Sequence, residues 1–172
     1  MRKGSPTSVP LTITPEEVVP GPRPVAKKLP EAVESKPFLL LAEDNPADVM
    51  LVGRAMEANH VPVKLLVVED GEEALKFIDQ IDSDPTMSCP SLLVLDLNLP
   101  RQSGADILRR ARASKRLKNV PVVIFTSSDA PKDRETVARL GADRYFLKPT
   151  YYEDFLKLGG VINELLSRPG HA

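Results

Sequence analysis

The sequence predicts an α/β fold built on a parallel sheet, and three observations carry that prediction. From Phe38 onward, apolar runs of three to six residues alternate with amphipathic stretches, the rhythm of βα units. The runs are mostly aliphatic or aromatic on both pleat faces, as strands covered on both sides must be. Acidic, hydroxyl and lysine residues follow the runs at the end where a parallel sheet binds ligands.

Five runs qualify as strands: Phe38 to Ala42, Val63 to Val68, Leu92 to Leu95, Val122 to Phe125 and Tyr145 to Leu147. Helix signals lie between them. Asn45 caps the first helix with Pro46 in its first turn, and Val49, Val52 and Met56 share a face. Asp70 and Glu73 form a capping-box pair before Ala74, Leu75 and Ile78. Gly104 to Ala113 and Lys132 to Leu140 supply the third and fourth helices, with Gly141 as a left-handed stop. Thr150 and Glu153 repeat the capping pair before Phe155, Leu158, Ile162 and Leu165. Gly159 and Gly160 each weaken that last helix by about 1 kcal/mol relative to alanine, so a kink or fraying is expected there.

Residues 1–36 read differently. Eight of the seventeen prolines lie between Pro6 and Pro37, with no aromatic residue before Phe38, a composition that cannot bury enough surface to fold. The expected division is a disordered proline-rich tail over 1–36, one domain over 37–168 and a short tail over 169–172. A net charge of -1 disfavours nucleic acid and anionic lipid as partners. Cys89 is the only cysteine, and His60 and His171 are far apart, so neither disulfides nor a zinc site is expected. No apolar run approaches the roughly 20 residues of a membrane span, and no signal peptide precedes the fold, so the chain reads as cytoplasmic.

The stretch LLVLDLNLP, from Leu92 to Pro100, places Asp96 in a buried-looking strand end, although burying an unpaired carboxylate is costly. Its surroundings account for it. Glu43 and Asp44 follow the first run, Thr126 and Ser127 the fourth, and Lys148 and Pro149 the fifth, whereas the capping pair accounts for Glu69 and Asp70 after the second. Right-handed crossovers bring those strand ends to one edge. Three carboxylates there repel one another unless a cation neutralises them, and an oxygen-only set with open positions favours magnesium. A cation, an ammonium and a hydroxyl around a carboxylate suit phosphoryl transfer, with Asp96 as the attacking nucleophile.

LLLAEDN, LLVLDLNLP, VVIFTSSD and YFLKP together resemble the receiver domain of bacterial two-component response regulators over about Pro37 to Leu166. The resemblance implies a doubly wound, flavodoxin-like sheet of order 2-1-3-4-5 with helices on both faces. It implies Asp96 as phosphoacceptor, Asp44 as a direct Mg2+ ligand, Glu43 as a ligand through water and Asn98 as a ligand through its backbone carbonyl. Thr126 and Lys148 would contact the phosphoryl group, and the Lys148–Pro149 bond would be cis. Tyr145 would be the switch aromatic that swings inward when Thr126 moves, and Asn98 and Ser128 would modulate dephosphorylation. The implied partner is a sensor histidine kinase or phosphotransfer protein, with an unidentified downstream protein and self-association through the face of the fourth helix, fifth strand and fifth helix.

More narrowly, EDNPADVMLV, LDLNLPRQSG and the connection from Asp79 to Ser91 are similar to the single-domain regulators that accompany phytochrome-type kinases, although Ser103 stands where those often carry an acidic residue. With no output domain read after Leu166, signalling is expected through protein contact rather than as a dedicated enzyme. Three alternatives are weaker. A phosphorylation-independent docking module would be favoured by loss of the acidic pair, threonine or lysine, and all are present. An aspartate-nucleophile phosphatase would need a general acid where Asn98 stands. A flavodoxin would need hydroxyls and N–H donors where Glu43 and Asp44 stand.

Overall fold

The structure, a computed structural model, describes residues 37–168; the segments 1–36 and 169–172, and the tails expected over them, lie outside the described residues. Ten elements alternate: β1 (Phe38–Ala42), α1 (Pro46–Ala58), β2 (Lys64–Val68), α2 (Gly71–Ser83), β3 (Leu92–Leu95), α3 (Gly104–Ala113), β4 (Val122–Thr126), α4 (Pro131–Arg139), β5 (Arg144–Leu147) and α5 (Tyr152–Leu166). The strands form one parallel sheet in the expected order β2-β1-β3-β4-β5.

Period-two alternation divides the core between the two faces. Leu40, Ala42, Leu93, Leu95, Val122 and Ile124 pack beneath Phe77, Ile78, Ile81, Ile107 and Leu108 of α2 and α3, with Val137 of α4. Leu39, Leu41, Val94, Val123 and Phe125 point the other way, against Val52 and Met56 of α1 and Phe155, Leu158 and Ile162 of α5. Each fully buried leucine or isoleucine contributes about 1.5–3 kcal/mol over an exposed one, so β1, β3 and β4 anchor the sheet. The edge strands differ from expectation: β2 and β5 are only half-buried, and β2 begins at the exposed Lys64 and β5 at Arg144. An edge strand has a neighbour on one side only, so its apolar run is diluted with charge.

Asn45 caps α1 by accepting from the Ala47 N–H at 3.0 Å, and Asp70 caps α2 by accepting from Glu73 at 2.8 Å. Glu73 returns its carboxylate to the Glu69 N–H, one residue earlier than a capping box requires. Helix α2 continues to Ser83, so the connection to β3 spans 84–91 rather than starting at Asp79. Arg116 staples it by donating to the carbonyls of Ile81, Asp84 and Met87, and Cys89 packs half-buried on the core as an apolar filler. Gly141, at φ 90°, follows α4 as expected.

Three expectations are corrected. Thr150 and Glu153 do not cap α5, which starts at Tyr152 after Tyr151 with no side-chain cap; burial of Phe155, Leu158, Ile162 and Leu165 sets its position instead. Nor does α5 break at its glycines: a Cβ on Gly159 would stand 2.2 Å from the Ala55 carbonyl oxygen, so this glycine lets α1 and α5 touch. Asn59 crosses that contact, donating to the carbonyls of Ala55 and Leu156. The Lys148–Pro149 bond is trans, as is every peptide bond among the described residues, and trans is the lower-energy isomer by about 0.5–1 kcal/mol.

Ser103 has a local role that the sequence reading did not assign. Its hydroxyl accepts from the Asp106 N–H at 3.2 Å while the Asp106 carboxylate accepts from the Ser103 N–H at 3.2 Å and hydroxyl at 2.7 Å, a full capping box for α3. The Ser103 hydroxyl, with Arg109 beside it, holds the Asp106 carboxyl below the usual aspartate range, so this stabilisation is present at neutral pH and fades as the pH falls through the folded-state value. Ser103→Ala is expected to lower stability by about 1 kcal/mol in urea unfolding, and an unchanged midpoint would show that the cap contributes nothing.

Candidate functional site

The carboxyl ends of the central strands assemble the site. Backbone bonds fix its loops: Glu43 donates to Val68 at 3.0 Å, Asp96 to Ala42 at 3.0 Å and Lys148 to Thr126 at 2.8 Å. Glu43, Asp44 and Asp96 consequently converge, with one carboxylate oxygen from each lying within 4.8 Å of the others. Glu43 and Asp96 are buried and Asp44 is exposed, which leaves one side of the group open to solvent.

Lys148 neutralises part of this charge. Its side chain is 9% exposed, and Nζ donates to Asp96 at 2.7 Å, Glu43 at 2.8 Å and Asp48 at 2.8 Å. Nζ also lies 4.9 Å from the centroid of the buried Phe125 ring. Burial alone would lower the ammonium's pKa, but the bonds to Asp48, Asp96 and Glu43 outweigh it and hold Lys148 above the usual lysine range. Burial pushes Glu43 up, against the opposing bonds from Lys148 and the Asn45 N–H. Three carboxylates bond the one ammonium and Asp44 stands beside Glu43 and Asp96, so the ionised cluster carries net negative charge. An open oxygen set of this kind suits a hard divalent cation.

The remaining expected residues form an adjoining group. Asn98, exposed, donates its N–H to Asp96 Oδ1 at 3.1 Å. Thr126 is fully buried, and its hydroxyl accepts from the Ser128 N–H at 3.2 Å rather than bonding Asp96 or Lys148. Ser128 Oγ donates to Asp133 at 2.5 Å. Tyr145 is half-buried, donates to the Ser128 carbonyl at 2.7 Å and carries the Arg134 guanidinium 4.3 Å above its ring. Burial raises the Tyr145 phenol's pKa. A backbone link through Ser128 therefore joins Thr126 to Tyr145.

Sequence reading missed Asp48, Arg134 and Asp133. Asp48 carried a usable signal: it lies in the first turn of α1, whose N-terminus opens on the same sheet edge. Arg134 and Asp133 carried none, because their roles depend on where α4 docks.

Comparison with known proteins agrees with this geometry. The family described as response regulator receiver domain matches residues 39–158. The response regulator Rcp1 of Synechocystis sp. is 32% identical over 127 residues, 73% of this chain and 86% of the relative. The crystal structure of the phosphorylated cyanobacterial phytochrome response regulator RcpA superposes with TM-score 0.69 at 30% identity, covering 77% of this chain and 96% of that one. The Mn2+-bound form of Rcp1 superposes with TM-score 0.68 at 30% identity, over 76% of this chain and 95% of that one.

Proposed function

The chain belongs to the response regulator receiver family, and on that premise we propose that it accepts a phosphoryl group on Asp96 from a sensor histidine kinase or phosphotransfer protein in the cytoplasm. Phosphoryl acceptance in two-component signalling is the family's general function. The observation that carries the assignment is the convergence on Asp96 of an acidic pair and a buried lysine.

In the reaction an Asp96 oxygen attacks phosphorus, the bond from phosphorus to the donor's imidazole nitrogen breaks, and that nitrogen keeps the electron pair and takes a proton. Glu43, Asp44, Asp96 and the Asn98 carbonyl would hold Mg2+, as the acidic donor set and the manganese-bound relative support. Magnesium, when bound, offsets the charge of the phosphoryl oxygens. Lys148, now bonded to Asp96, redirects that N–H hydrogen bond to the new phosphoryl group and keeps its proton. Thr126 releases the Ser128 N–H and turns its hydroxyl toward that group. Because the Ser128 carbonyl holds the Tyr145 hydroxyl, that movement frees Tyr145 to swing inward and reshape the face of α4, β5 and α5. Asn98 and Ser128, at the rim, modulate hydrolysis.

The likeness to RcpA and Rcp1 supports a phytochrome-type kinase as the partner, with residues 37–168 as the receiver and the segments 1–36 and 169–172 as its tails. Output passes by contact with a downstream protein or a second copy. The test is intact-protein mass after incubation with acetyl phosphate, with magnesium or with a chelator. A magnesium-dependent gain of one phosphoryl group is expected, and no gain from either acetyl phosphate or a phosphorylated kinase would favour a phosphorylation-independent docking module. Magnesium at 100 times its Kd is expected to stabilise the fold by about 2.7 kcal/mol, reversed by chelation. An unfolding midpoint indifferent to magnesium would exclude the metal site.

A further inference from the structure

Asp48 contributes a partner to the buried ammonium that the assignments above do not use. Its carboxylate accepts from Lys148 Nζ at 2.8 Å and from Asn45 Nδ2 at 3.3 Å. The position is the third residue of α1, where an acidic side chain ordinarily folds back onto the cap residue's own N–H. Here that N–H is taken: Asn45 donates it to Glu43 Oε1 at 3.1 Å. Asp48 is thereby left to face Lys148, while the α1 N-terminus favours its negative charge.

We infer that Asp48 is a positioning residue for phosphoryl transfer, holding Lys148 Nζ in place while the other carboxylates change partners. This rests on Asp96 being the phosphoacceptor. An ammonium has three N–H donors, and all three are committed, to Glu43, Asp48 and Asp96. During transfer Asp96 becomes an acyl phosphate and Glu43 turns toward a cation, so both weaken as partners. Asp48, outside the cation cluster and fixed to a helix rather than a strand end, is the one carboxylate whose bond to Lys148 persists. Without it, the ammonium keeps no lasting tether, and a group displaced by even an ångström supports transfer poorly.

The test compares the full chain with Asp48→Asn and Asp48→Glu. Initial rates of phosphoryl incorporation from acetyl phosphate at saturating magnesium are read beside the Lys148 ammonium ¹H–¹⁵N signal and the thermal midpoint. Asp48→Asn is expected to slow incorporation about tenfold and to shift or broaden the Lys148 signal, with the midpoint within a few degrees of the parent. Asp48→Glu is expected to restore most of the rate. Incorporation by Asp48→Asn at the parent rate, or an unchanged Lys148 signal, would overturn the role while leaving Asp96 as acceptor. A parent chain that takes no phosphoryl group from either donor would overturn both. If Asp48→Asn unfolds, a well-folded Asp48→Glu that fails to recover the rate would equally reject the role.

Discussion

Asp96→Asn is expected to abolish phosphoryl incorporation while leaving the fold and its stability almost unchanged. The amide has no anionic oxygen to attack phosphorus, so transfer loses its nucleophile rather than an accessory contact. Stability should hold because opposing terms nearly cancel. The substitution weakens one bond to Lys148, at 2.7 Å, but also removes repulsion from Glu43 and Asp44, whose oxygens lie within 4.8 Å. At an effective dielectric near 20 the attraction at 2.7 Å is about 6 kcal/mol and each repulsion near 4.8 Å about 3.5 kcal/mol, so one lost attraction meets two lost repulsions of about the same total. Lys148 keeps Glu43 and Asp48 and is not stranded as an unpaired buried charge. The expected change in unfolding free energy is within about 1 kcal/mol, and the stabilisation by magnesium shrinks with the loss of one ligand. Intact mass after acetyl phosphate treatment and urea unfolding with and without magnesium check these together. A variant that gained a phosphoryl group at the parent rate would remove Asp96 from the mechanism.

How much of this could be read before the structure depends on where a residue's partners lie. Leu39 to Ala42 and Leu92 to Leu95 were legible because a central parallel strand is covered on both faces and must be apolar throughout. Edge strands obey a weaker rule, so the second expected run starts one residue too early, at Val63 rather than Lys64, and Arg144 falls outside the fifth run although it begins β5. Strand ends were legible for the same topological reason, and Glu43, Asp44, Asp96 and Lys148 lie where a parallel sheet had to bring them. Asp48 was passed over despite its place in the first turn of α1 at the same sheet edge, because an acid there already has a sufficient local explanation in the helix dipole. Only the approach of the β5 end to α1 gives it a second one. The capping rule produced one false signal as well, at Thr150 and Glu153, where helix packing against α1 outweighed a local preference worth about 1 kcal/mol.

Gly104 joins the fold to the chemistry, and Gly104→Ala is expected to damage both. A Cβ at Gly104 would lie 2.1 Å from the Asp96 carbonyl oxygen, 2.8 Å from its carbon and 3.1 Å from the Leu97 Cα. All three are backbone atoms, so no side chain can rotate away and the turn that carries Asp96 must move. Overpacking typically costs about 1–3 kcal/mol, and a contact this short against rigid backbone belongs at the upper end. The displaced turn also carries the Asp96 carboxylate away from Lys148 and Asp44, and misplacement by about 1 Å can slow a positioned reaction by about 100-fold. Gly53 separates this from glycine replacement in general. It lies within α1 with nothing within 4 Å of a built Cβ, so Gly53→Ala should stabilise the fold by about 0.5–1 kcal/mol through helix propensity and leave phosphoryl incorporation unchanged. Urea midpoints and incorporation rates for the two variants, measured side by side, decide the matter. If Gly104→Ala proved as stable and as reactive as the parent, the close packing of α3 against the Asp96 backbone would not be what holds the acceptor in place.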